Sequence, residues 1–70
     1  MIESTGTVER INQGGQSGFI KEDGSTAVLE FMNPHIPNVK EFERYAFLKI
    51  IQSTPNGDRV INILKSKLPQ

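Results

Sequence analysis

Gly18-Phe19-Ile20-Lys21-Glu22-Asp23-Gly24-Ser25-Thr26-Ala27-Val28-Leu29-Glu30-Phe31 is the stretch that decides the fold. Two short runs carrying apolar residues, Gly18 to Glu22 and Ala27 to Phe31, flank Asp23-Gly24. That dipeptide is the strongest hairpin signal in the chain, because glycine accepts the positive φ that a tight two-residue turn requires. Runs of this length suit strands rather than helices. The stretch therefore reads as strands two and three of a β protein.

The reading extends in both directions. Upstream, Thr7 to Asn12 supplies β-favouring side chains for a first strand, and the polar, glycine-bearing Gln13 to Ser17 is a turn. Downstream, Met32 to Arg44 breaks the pattern. Pro34 and Pro37 remove backbone donors there, which predicts a long loop with one helical turn around Lys40 to Arg44. Tyr45 to Gln52 reads as a fourth strand, Ser53 to Asp58 as a dense turn cluster, and Arg59 to Leu64 as a fifth strand. The tail from Lys65 to Gln70 is polar and is expected to fray. A helix over Lys40 to Gln52 is the competing reading, since Phe42, Tyr45, Ala46 and Lys49 share helical spacing. Phe47, Leu48, Ile50 and Ile51 would then ring that helix with apolar groups, which favours the strand. Three strands, a long loop and two strands is the order of a five-stranded antiparallel Greek-key barrel.

Composition limits the chemistry. Seventy residues make one domain, taken as residues 1–70 with a flexible tail from about 65. Cysteine is absent and His35 is the only histidine, which argues against disulfides and against a zinc site. No metal or cofactor is expected. Eight basic and eight acidic residues cancel, so the bulk charge that drives most nucleic-acid affinity is missing. No apolar run approaches the roughly 18 residues that span a bilayer, and the start of the chain lacks the character of a secretory signal. A cytoplasmic protein with no membrane role is expected. No Ser-His-acid or paired-carboxylate arrangement stands out, so the chain is not expected to be an enzyme.

Alternation predicts that Val8, Ile20, Leu29, Ile61 and Ile63 face inward. The fourth strand has two registers. One buries Phe47 and Ile51 and takes Lys49 in with them; the other buries Leu48 and Ile50. The second is preferred, because an unpaired buried lysine is costly. It leaves Phe47 and Ile51 outside with Val60 or Leu64, an apolar patch suited to a protein partner or a homodimer.

Gly6-Thr7-Val8, Asn12 and Gly18-Phe19-Ile20 occur at the spacing of the opening of the cold-shock domain, and over nearly its whole length the chain resembles that family. The family's first RNA-binding motif falls on Gly15 to Ile20 and its second on Ala27 to Phe31. Gly57 with Asn62-Ile63 is similar to its closing strand. The resemblance implies an OB-fold barrel that binds single-stranded RNA or DNA on a platform of aromatic rings. It also implies that much of the platform is gone. The family's tryptophan becomes Arg10 and its neighbouring phenylalanine Ile11. The motif lysine becomes Gly15, and a motif phenylalanine becomes Ser17. A second exposed phenylalanine becomes Val28, and a histidine becomes Glu30. Phe19 and Phe31 remain aromatic.

Each stacked base contributes roughly 1–3 kcal/mol, so the missing rings imply weak binding. The candidate nucleic-acid residues are Phe19, Phe31, Arg10 and Lys21. Each has a plainer role: Phe19 a gap-filling surface ring, Phe31 closure of the barrel mouth, Arg10 a strand charge paired with Glu30, Lys21 a solubility charge. Two functions stay open. One is weak, sequence-tolerant binding of single-stranded RNA or DNA; the other is a protein-interaction or self-associating module. A barrel of the translation initiation factor one or ribosomal S1 type has a similar strand order, but the Gly18-Phe19-Ile20 block favours the cold-shock form.

Overall fold

The computed structural model describes residues 2–32 and 36–69; Pro34 and His35 lie outside the described residues. Five strands follow one another: β1 (Ile2–Ile11), β2 (Ser17–Glu22), β3 (Val28–Met32), β4 (Arg44–Thr54) and β5 (Gly57–Lys67). They close into a barrel in the order β1-β2-β3-β5-β4, with β4 returning to β1. All pairings are antiparallel except β3 with β5, which is parallel and rests on the single register pair Phe31↔Asn62. This is the all-β, five-stranded, OB-like barrel that the sequence order predicted.

Several boundaries differ from expectation. β1 begins five residues before Thr7, because Ile2 to Thr7 zips onto β4 from Lys49 to Arg44. The Asp23-Gly24 hairpin is a wider loop, Asp23 to Ala27, in which Gly24 takes φ 74° and Glu22 N–H donates to the Ala27 carbonyl at 3.1 Å. No helical turn forms at Lys40 to Arg44; Glu41 and Phe42 make a turn, and Arg44 already belongs to β4. The tail does not fray from Lys65. β5 continues to Lys67, and Leu68 N–H donates to the Arg44 carbonyl at 2.9 Å.

The core holds Val8, Ile20, Phe31, Tyr45, Phe47 and Leu64, with Leu29 packed against it. Gly18 lets this core close. A β-carbon there would lie 2.3 Å from the Arg10 carbonyl oxygen and 2.7 Å from the Phe31 ring, so only glycine fits between strand and ring.

Two core assignments from the sequence are reversed. Phe47 lies in the core rather than outside, and β5 turns Asn62 and Leu64 inward, which leaves Ile61 and Ile63 on the outer face and only half-buried. The β4–β5 register explains both, since it sets Phe47 opposite Leu64 and Lys49 opposite Asn62. Lys49 is tolerated on the inward side because it is not unpaired: its Nζ sits 2.7 Å from Glu22 Oε2 at the end of the barrel. Ser4 donates to that same carboxylate at 2.5 Å. Among the described residues, Asn62 donates its amide to the Glu30 carbonyl at 3.0 Å, while its Oδ1 is buried without a partner. Ile51 is exposed as expected, because β1 has ended before β4 reaches it.

Candidate nucleic-acid interface

A bulge in β1 builds the outer face. Val8 pairs with Ile20 and Arg10 with Phe19, so Glu9 is an extra residue between them. Simple alternation from the buried Val8 would point Arg10 into the barrel. The extra residue re-aims it outward, the usual consequence of a β-bulge. Arg10 then lies over Phe19, its guanidinium carbon 5.1 Å from the ring centroid, within cation–π range. Its Nη2 also donates to Asn12 Oδ1 at 3.3 Å.

Phe19 is half-buried on the outside of β2, with Glu30 of β3 opposite it. Arg10, Phe19 and Glu30 thus form a row across three strands. Arg10 does not pair with Glu30 as expected among the described residues, since the ring stands between them. The next row is Thr7, Lys21 and Val28, and Val28 is exposed. Lys21 Nζ donates to the Ser25 carbonyl at 2.7 Å, which fastens the β2–β3 loop and holds the charge at that end of β2. Ser17 is not free to vary: its hydroxyl accepts from Asn12 Nδ2 at 2.8 Å and braces the β1–β2 turn.

Phe31 leaves the candidate set. It is wholly buried, shares its face of β3 with Leu29, and forms the floor of a cleft of about 330 Å³ between the loops after β1 and β3. A ring so placed closes the barrel and offers no face to a base. Sequence reasoning missed Phe42. This residue is 74% exposed, holds φ 68°, and donates its backbone N–H to the Val8 carbonyl at 2.7 Å. It therefore flanks β1 on the side opposite β2. A bulky residue at positive φ is uncommon, and nothing in the sequence pattern announces it.

Charge on this side is mixed. Glu41 accepts from Ile11 N–H at 2.9 Å, and Asp23 is held by Thr5 and Arg44. The Thr5 hydroxyl, and then the Arg44 guanidinium, keep the Asp23 carboxyl below its ordinary range. Among the described residues no group of acids and histidine is placed to hold a metal ion.

No protein-family model matches the chain, and neither a curated protein nor a solved structure does. The class defined is therefore structural: a small closed β-barrel with the OB strand order. Among the described residues no helix is long and apolar enough to cross a membrane.

Proposed function

We propose that this barrel is a cold-shock-like module that binds single-stranded RNA or DNA in the cytoplasm, weakly and with little sequence preference. The observation that carries the reading is the outward Arg10–Phe19 pair, exposed by a bulge on the β1–β2–β3 face. A ring and a guanidinium plane both stack on any base, which gives sequence tolerance. Lys21 and Arg10 supply local positive charge toward phosphate, while Glu30 on the same row opposes it. The zero net charge keeps the electrostatic contribution small.

Titration of labelled oligo-dT and oligo-rU at two salt concentrations tests the proposal. Binding in the micromolar range that tightens at low salt supports it, and Phe19→Ala should weaken that binding by about 1–3 kcal/mol, the value for one stacked base. No binding at about 100 µM, the weak end of the range of non-specific affinities, rejects it. Wild-type binding that Phe19→Ala leaves untouched moves the site elsewhere.

A further inference from the structure

β4 and β5 outrun their neighbours. β4 is paired with β1 from Arg44 to Lys49, where β1 contributes Ile2. Beyond that point the β4–β5 ladder continues through five more pairs, from Ile50↔Ile61 to Thr54↔Gly57. Among the described residues, no strand lies on the other side of Ile50 to Thr54. The end of the hairpin is therefore a two-stranded ribbon, an element that is marginal alone in water.

Where it leaves the barrel, this ribbon is apolar on both faces. Ile51 and Val60, opposite each other, are 64% and 57% exposed, and Ile2 beside them is exposed too. Ile50 and Ile61 line the other face and continue the half-buried Leu48 and Ile63. The open edge reads Ile50-Ile51-Gln52-Ser53-Thr54, with no charged residue and no proline. Lysine, proline and inward charges are what proteins use to keep such edges from pairing. The neighbouring β5 carries charges there as Asp58 and Arg59; β4 from Ile50 to Thr54 does not.

We infer that the open edge of β4 is a self-association site, at which a second copy of this chain pairs its own β4 antiparallel across a two-fold axis at Gln52. In that register Gln52 faces Gln52, Ile51 faces Ser53 and Ile50 faces Thr54. No like charges meet, and the zero net charge adds no long-range repulsion. The residue that would next oppose Lys49 is the partner's Pro55, which starts the β4–β5 turn and lacks an N–H to pair. Lys49 is where Ile2 of β1 already stands. The partner strand thus fills the open part of the edge and leaves the sheet where β1 occupies it. Five residues a side make an interface below the ~1,200 Å² of stable complexes, so the dimer is weak and forms at high concentration.

Sedimentation equilibrium and oxidative cross-linking test this. The wild-type mass should rise from 7.8 kDa toward twice that value as concentration approaches about 1 mM. Gln52→Lys sets two like charges face to face and should restore the monomer. The chain has no cysteine, so single cysteines report the register. Gln52→Cys should cross-link on oxidation, because directly opposed residues lie within disulfide reach. Ser53→Cys should not, because its copy lies two residues along the strand, roughly 8 Å away at about 3.4 Å per residue. A monomer throughout that range overturns the inference. So does a dimer that Gln52→Lys leaves intact, or one in which Ser53→Cys cross-links as well as Gln52→Cys.

Discussion

Replacing Phe47 by alanine should nearly unfold this domain, whereas the same change at Ile51, four residues along the same face of β4, should hardly register. Phe47 is fully covered and packs within the central cluster, opposite Leu64; Ile51 is 64% exposed. Truncating a buried phenylalanine costs about 3–5 kcal/mol, because the cavity left behind adds to the lost transfer energy. A chain of 70 residues has in total about 4–10 kcal/mol of stability. Phe47→Ala therefore removes about a third of it at the least and more than all of it at the worst. With a urea slope near 1 kcal/mol/M for so small a domain, the midpoint should fall by about 3 M or more. Ile51→Ala should stay within about 0.5–1 kcal/mol of wild type. Urea titrations followed by far-UV circular dichroism, at low micromolar protein to keep the chain monomeric, give both numbers. Equal losses at the two positions, or a loss below 1 kcal/mol at Phe47, would refute the β4–β5 register.

Gly18→Ala should destabilise by about 1–3 kcal/mol, since the added methyl meets both the Arg10 carbonyl and the Phe31 ring; Phe31→Leu in the same chain should recover part of the loss but not all, and full recovery would mean that the backbone contact does not matter. Acid should weaken the fold from about pH 5 downward, because Lys49 and Ser4 hold the Glu22 carboxyl below its ordinary range, and a depressed carboxylate gives stability that is complete above its unfolded pKa and lost as pH falls through the folded one. Lys49→Met should make that acid limb shallower, and an unchanged slope in urea melts at pH 3 to 6 would remove the ion pair from the explanation. Val28→Phe with Glu30→His adds a ring beside Phe19 and removes one anionic charge while sparing the Ser17 hydroxyl that braces Asn12, so oligo-dT binding should tighten, most at low salt; a folded double variant with unchanged affinity would place the interface off this face.

The barrel was legible because its strands are separated by strong turns and interrupted once by a proline-bearing loop. What alternation could not resolve was β5. Ile61-Asn62-Ile63-Leu64 has apolar side chains at both parities, and the inward set is fixed by partners far along the chain: Phe47 across from Leu64, and the Glu30 carbonyl that receives the Asn62 amide. Lys49 misled for a related reason. The cost of burying it was weighed correctly, but Glu22, which removes that cost, is 27 residues away in sequence. At the candidate interface, Phe19 could be placed from its motif. Arg10 points outward only through a bulge that leaves no mark in the residue pattern. Phe31 shares its parity with Leu29, so its burial was readable from the same alternation that placed Leu29 inward.

The lone parallel pair between Phe31 and Asn62 gives the closed barrel a seam. Every other junction is a ladder of at least five register pairs. If the seam parts, the chain becomes a curled open sheet of order β3-β2-β1-β4-β5 and loses almost none of its strand pairing. Its cost is the release of the Asn62 amide and the exposure of the core that closure covers, Phe31 and Leu64 together with Val8, Ile20 and Phe47. Opening by that route keeps the antiparallel ladders that full unfolding would break. It would bare an aromatic ring between two strand edges for as long as the gap persists, so the molecule can behave as a clasp as well as a closed container.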